Sequence, residues 1–198
     1  MESLAGPKAQ SVKVDGSDDD WQVEAGWRAE SDPGGSTRLV VAVPTVDLLR
    51  VHEALVRRLS VPLGVLYRQK VDRRAVAQGA TPVQGAPPRD FVSLELPPGR
   101  VLVALQKHSD VIHHDARCEV WVRGKLGDQV VIDSDGMLFA YPDDPAFREV
   151  LDAVGLTENA VQTLETRDYV KHWFHGEADA AEDGLIADLH LQEVPHRK

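Results

Sequence analysis

Residues 39–67, LVVAVPTVDLLRVHEALVRRLSVPLGVLY, decide how the rest of the chain is read, because the hydrophobic period changes twice within them. Leu39 to Val43 is a continuous apolar run, short enough for a buried strand, and Pro44-Thr45 ends it and offers a hydroxyl that could cap a helix. From Val46 onward Leu48, Val51, His52, Leu55 and Leu59 recur every three or four residues, with Leu49 and Val56 widening the stripe. Asp47 stands in the first turn, and Arg57 and Arg58 in the last, as a helix dipole favours. This is the pattern of an amphipathic helix of about 15 residues. Val61 to Tyr67 then returns to a strand, with Pro62 tolerated near its start. Strand, helix and strand within about 30 residues is the size of a βαβ crossover with parallel strands.

Beyond this unit the period is mostly that of strands. Val92, Leu94 and Leu96 alternate with Ser93 and Glu95 as a half-buried strand, and Pro97-Pro98-Gly99 turns the chain. Val101 to Leu105 reads as a buried strand, with a helix through Lys107 as the alternative. Cys118, Val120 and Val122 alternate with Glu119, Trp121 and Arg123. Gln129 to Ile132 follows, and the Asp-Gly pair of Asp133-Ser134-Asp135-Gly136 signals a hairpin into Met137 to Tyr141. The result is an antiparallel meander. Asp144 then caps a helix with Pro145 at its first position, Phe147, Val150, Leu151 and Val154 on one face and Gly155 past its end. Residues 157–164 read as a further short helix and 176–184 as an acidic loop, while 167–175 and 185–191 are ambiguous, the latter alternating Leu185, Ala187, Leu189 and Leu191 like an edge strand. The expected fold class is α+β, a mixed sheet with one βαβ crossover, an antiparallel meander and two to three helices.

Three segments follow from composition. Residues 1–37, with 8 acidic and 3 basic side chains among Gly, Ser and Pro, read as an acidic, largely flexible arm. Residues 38–194 read as a single α+β domain, with a flexible loop at 75–90 rich in Ala, Gly, Pro and Gln, and 195–198 as a tail. The whole chain has 198 residues, 42% of them hydrophobic, and a formal charge of −10, so one core of ordinary size, or two small ones, is expected. No apolar run approaches the ~20 residues of a membrane helix. The start of the chain lacks the apolar block of a secretory signal. Cys118 is the single cysteine, which excludes an internal disulfide and fits a reducing, cytoplasmic setting. The acidic balance disfavours nucleic acid, whose phosphates need clustered Lys and Arg.

Two constellations could carry function. His108, His113, His114 and Asp115, near Cys118, supply donor types that suit zinc or another transition metal, and His172 and His175 could complete such a site. Their spacing matches no metalloprotease signature, and the polar loop between strands is the plainer account, so no cofactor is expected. The Asp133–Gly136 turn lacks the later ligands of a calcium loop. No nucleophile elbow or phosphate-binding glycine loop occurs, which points away from an enzyme. The second constellation is a basic island. Residues 47–74 carry seven basic and three acidic side chains, whereas 143–193 contribute −10. Arg57, Arg58, Arg68, Arg73 and Arg74, together with Trp21, Trp27 and Trp173 in otherwise polar segments, are the expected partner-binding residues.

The function that fits is a protein-binding module, an adaptor, regulatory or immunity-type protein, with an acidic or phosphorylated protein partner and no membrane. A metal-dependent hydrolase centred on the histidines is the alternative. Self-association through an exposed sheet edge is a third reading.

Overall fold

The computed structural model describes residue 4 and residues 6–31, 34–77 and 87–195. In chain order the strands are β1 (Ala9–Ser11), β2 (Gly26–Ser31), β3 (Thr37–Ala42), β4 (Leu63–Gln69), β5 (Arg89–Leu96), β6 (Cys118–Gly124), β7 (Gln129–Ile132), β8 (Leu138–Tyr141), β9 (Val170–His172) and β10 (Gln192–Val194). The helices are α1 (Thr45–Val56), α2 (Arg73–Ala77), α3 (Pro98–Lys107), α4 (Ser109–His113), α5 (Pro145–Ala153) and α6 (Asp179–Asp188). Eight strands form one sheet in the order β10-β5-β4-β6-β7-β8-β3-β2, with every ladder antiparallel, and β1 pairs with β9 apart from it. The fold is α+β.

The strand, helix and strand of 39–67 form as β3, α1 and β4, and the alternating ladders make β3 and β4 point the same way. They are not neighbours, however. The meander β6-β7-β8 lies between them, so the crossover must carry the chain four strand positions, about 19 Å at ordinary spacing. Within this crossover the 12 residues of α1 span about 18 Å. Leu48, Val51, His52, Leu55 and Val56 face the sheet, and Pro44 rather than the Thr45 hydroxyl occupies the cap position, with no side-chain cap bond. Asp144 does cap α5, accepting from the Ala146 N–H at 2.7 Å, with Pro145 at the first position.

Several expectations change. Residues 101–105 belong to α3, because Val101, Leu102, Ala104 and Leu105 are buried while Val103 is 60% exposed, the footprint of one helix face and not of a strand covered on both sides. Residues 157–164 are not a helix. They run extended, engaging Trp27 through backbone bonds from Trp27 N to Thr157 O and from Asn159 N to Trp27 O, and end in a 3-10 turn at Leu164–Thr166. The acidic stretch 176–184 and the alternating 185–191 are mainly α6. Glu182, Leu185 and Leu189 are buried at helical spacing, Ala187 is exposed, and the sheet edge is β10 instead. Within 1–37, read as largely a flexible arm, Ala9–Ser11 and Gly26–Ser31 are strands, and Trp27 lies in the core. Of the loop expected at 75–90, residues 78–86 lie outside the described residues, and 89–90 begin β5. Residues 196–198 of the expected tail also lie outside them.

The two faces of the sheet are covered differently. Leu63, Val65, Tyr67, Val120, Val122, Val130, Ile132, Leu138, Ala140, Leu39 and Val41 point into the main core beneath the helices. Gly184 allows α6 to approach there, since a Cβ at that position would lie 2.5 Å from the His108 ring. On the opposite face, Val40, Ala42, Val131, Met137, Phe139 and Val161 form a smaller cluster, joined by Val23, Trp121 and Tyr141. Its cover comes from extended chain, not from helices.

Candidate functional site

The charged groups gathered around Arg117 beneath the helices are already matched. Arg117 is wholly buried and bonds both Asp115 oxygens at 2.9 and 2.8 Å, Asp179 at 2.8 Å, Glu182 at 3.0 Å and the His175 carbonyl at 2.6 Å. Glu182 also accepts from Gln69 and from the Tyr67 hydroxyl, while Asp179 takes a second arginine, Arg73. Hydrogen bonds from Arg73 and then Arg117 hold the Asp179 carboxyl well below the usual carboxylate range. This cluster fastens α6 and the 115–117 turn to β4. A buried guanidinium satisfied on every side has nothing left to offer a ligand.

The same pairing accounts for most of the expected basic island. Arg68 pairs with Asp90 at 2.9 Å, Arg73 with Asp179, and Arg74 with Asp183 at 2.7 Å. Acidic side chains of α6 therefore neutralise Arg73 and Arg74. Arg57 reaches Glu53 only at 3.8 Å and is largely exposed, and Arg58 makes no ion pair among the described residues. Of the tryptophans, Trp27 is 4% exposed beneath the Arg148 guanidinium and serves packing instead of contact with a partner. Trp21 is half-buried, donating to Gln162 at 3.4 Å under Arg167. Trp173 is half-buried with the Lys171 ammonium 3.8 Å from its ring centroid.

The six expected metal donors are not brought together. His113 Nε2 lies 3.0 Å from His52 Nδ1 in the core, and His108 Nε2 lies 2.8 Å from Asp188. His114 meets the Gly6 carbonyl at 2.8 Å, His172 meets Asp135 at 2.7 Å, Asp115 belongs to Arg117, and His175 gives its backbone N–H to Asp115. Among the described residues no group of three or more His, Cys, Asp or Glu side chains could hold a metal ion. His52 and His113 are neutral: burial pushes His52 down to about 3 and His113 well below its ordinary value, with the other charges nearby adding to this. Burial likewise raises the Cys118 thiol to about 11, an unreactive value. The Asp133–Gly136 segment is a hairpin turn, in which Asp133 Oδ1 accepts from the Asp135 and Met137 N–H groups at 2.9 and 2.8 Å.

What remains open is half of the outer sheet face. Strand register places Gln192, Val92, Leu66, Trp121, Val131, Phe139, Val40 and Arg28 in a single row across all eight strands. At the β7-β8-β3 half, Val161 and Val23 lie over the row. At the β5-β4-β6 half there is instead a groove of about 560 Å³, lined by Leu66, Val92, Leu94, Trp121, Arg123 and Lys125 among others. Leu94 is 72% exposed and lies over Gly64, where a Cβ would meet it at 3.2 Å. The β4 and β5 registers shift at this point, with Glu95 at φ 58°.

The groove ends in a corner rich in cations. Ser60 joins the α1–β4 connection to the β6–β7 hairpin: its hydroxyl and N–H both bond Asp128, and its carbonyl accepts from Lys125 N at 3.1 Å. Gly124 permits this contact, since a Cβ there would lie 2.4 Å from Asp128. The joint places exposed Arg58 and Val61 beside exposed Leu126, and Arg123 and Lys125 on the groove itself. Arg58, Arg123 and Lys125 make no ion pair among the described residues. Sequence reasoning found Arg57 and Arg58 but missed Leu66, Leu94, Trp121, Arg123 and Lys125. The alternation in 118–124 did place Trp121 and Arg123 together on the face opposite Val120. Which face lacked cover was decided far away in the chain.

No protein-family model, no curated protein and no solved structure matches this chain. Among the described residues no helix is long and apolar enough to cross a membrane.

Proposed function

We propose that this is a protein-binding module, an adaptor, regulatory or immunity-type protein, whose contact surface is the β5-β4-β6 half of the outer sheet face. One observation carries the reading: the same row of side chains is covered by the chain's own extended segments on one half and left as an apolar groove on the other. A concave surface with exposed Leu94 beside half-buried Trp121 has the composition of an interface centre, with an aromatic anchor and charged groups at the rim. The matched buried charges and dispersed histidines offer no comparable arrangement for catalysis.

The test is to pan a random-peptide display library on the full-length protein and map the selected peptides by backbone amide shifts. Supporting results are shifts confined to β4, β5 and β6, and binding that is lost in Leu94→Asp and Trp121→Ala but kept in Arg74→Ala. Failure to select any peptide, or shifts centred elsewhere, overturns the proposal.

A further inference from the structure

We infer that the occupant of this groove is an extended, acidic polypeptide segment, with apolar side chains on Leu66, Leu94 and Trp121 and carboxylates on Arg123 and Lys125. The inference rests on the proposed protein-binding role and adds the chemistry of the partner.

Charge complementarity is the first argument. Cations elsewhere on the outer face are matched within the chain. Arg28 and Arg38 share Glu30 at one corner, and Arg68 and Lys70 pair with Asp90 and Glu119 at another. Arg123 and Lys125 differ, making no ion pair among the described residues, while Glu95 is the one carboxylate among the described groove-lining residues. In a chain of net charge −10, such a corner presents positive charge of its own beside apolar surface. Carboxylates meeting it would form charge-assisted bonds, bidentate at Arg123, in a partly desolvated setting.

Shape is the second argument. The groove's volume of about 560 Å³ accommodates a few side chains, not the face of a folded domain. The covered half shows what such an occupant looks like. There residues 157–163 run extended: Thr157 and Asn159 engage the backbone of Trp27, Val161 packs on Val40 and Phe139, and the Arg28 guanidinium donates to the Val161 carbonyl. An apolar side chain on the row and an acceptor toward an arginine are the same two requirements that the open half poses. A lipid surface would favour a convex patch, whereas Leu66 and Trp121 are half-buried within a concavity.

The experiment compares the sequences selected by the protein with those selected by an Arg123→Glu/Lys125→Glu variant, and measures one acidic selected peptide alongside its Glu→Gln and Asp→Asn counterpart. Asp and Glu should be enriched by the unaltered protein and Lys and Arg by the variant. The acidic peptide should bind about tenfold more weakly to the variant, and its neutral counterpart about tenfold more weakly to the unaltered protein. Selected peptides that map to β4-β6, lack acidic enrichment and bind both proteins within about twofold overturn this inference while leaving the binding role standing. If no peptide is selected, both fall. Binding to phosphatidylcholine vesicles containing phosphatidylserine, lost in the variant and without any selected peptide, also overturns it by assigning the surface to lipid. Thermal melting of the variant at the unaltered midpoint establishes that the fold is intact.

Discussion

On the outer face of the sheet, Val131, Phe139 and Val40 belong to the same row as Val92, Leu66 and Trp121, yet the first three are in a closed cluster and the second three line a groove. The residue types are similar on both halves. Each half even sets an arginine over an aromatic ring, Arg38 4.5 Å from the Phe139 centroid and Arg68 5.9 Å from that of Trp121. The difference comes from chain path: residues 157–163 cross one half, and no described segment of the chain does the same for the other. Burial of a strand face is thus a property of what passes over it. Among the described residues, the open half is where the apolar face of the sheet is left uncovered.

The contrast is broken most directly by truncating matched residues. Phe139→Ala removes a ring that is 9% exposed and should destabilise the protein by about 3–5 kcal/mol in urea unfolding. Arg117→Ala should do comparable damage, about 3–5 kcal/mol, by leaving Asp115 and Glu182 buried without their cation. Arg123→Ala, on the open half, should leave the unfolding midpoint within the range of ordinary surface changes, about 0.5 kcal/mol. Equal losses at Arg117 and Arg123 would show that the open corner is a structural site after all.

Acid sharpens the same division, because the strongly shifted neutral groups lie under cover. The unfolded chain protonates His52 near 6.5, but in the fold this histidine stays neutral until about 3, and burial shifts His113 in the same direction. As pH falls below 6.5 the unfolded state therefore binds more protons, and stability falls by about 1.4 kcal/mol per pH unit for each histidine. Asp133 opposes this. Burial, reinforced by Asp135, raises it from 3.8 to about 7, so the folded state holds its proton over most of that range and stability from this group declines as pH rises toward 7. Between pH 5 and 6.5 His52 and Asp133 largely offset each other, so His113 sets the sign and the net effect is a loss on acidification. Urea unfolding across that range should show this slope, His52→Leu should flatten it, and Asp133→Asn should steepen it.

The helical period of 45–56, the strand alternation of 118–124, the hairpin turn and the Asp144 cap were all legible because each is fixed by neighbours within a few residues. Residues 101–105 and 185–191 were not, because a short apolar run fits either period until its solvent side is known, and Val103 and Ala187 supply that only in three dimensions. The basic island was half legible. Arg57 and Arg58 keep their exposure, whereas Arg68, Arg73 and Arg74 meet carboxylates that are 22 to 109 residues away, and no local pattern announces such pairs. Leu94 looked like any strand residue. Its exposure depends on what lies over this half of the sheet and on the short reach of β10, which pairs with β5 only from Asp90 to Val92.

The smallest expected effect is the most discriminating one. Leu94 is an exposed leucine whose neighbours are Gly64 and solvent, so Leu94→Ala removes little buried area and should change stability by no more than about 0.5 kcal/mol. Val161→Ala, which thins the cover on the other half, removes a side chain that is 4% exposed and should cost about 1.5–3 kcal/mol. If the open half is a contact surface, Leu94→Ala should weaken a selected peptide about tenfold with the melting temperature unchanged, while Val161→Ala should lower the melting temperature and leave the peptide affinity as it was. A leucine that affected stability and binding together would mean that the groove is closed by the chain itself, and that the two halves differ only in how tightly they are covered.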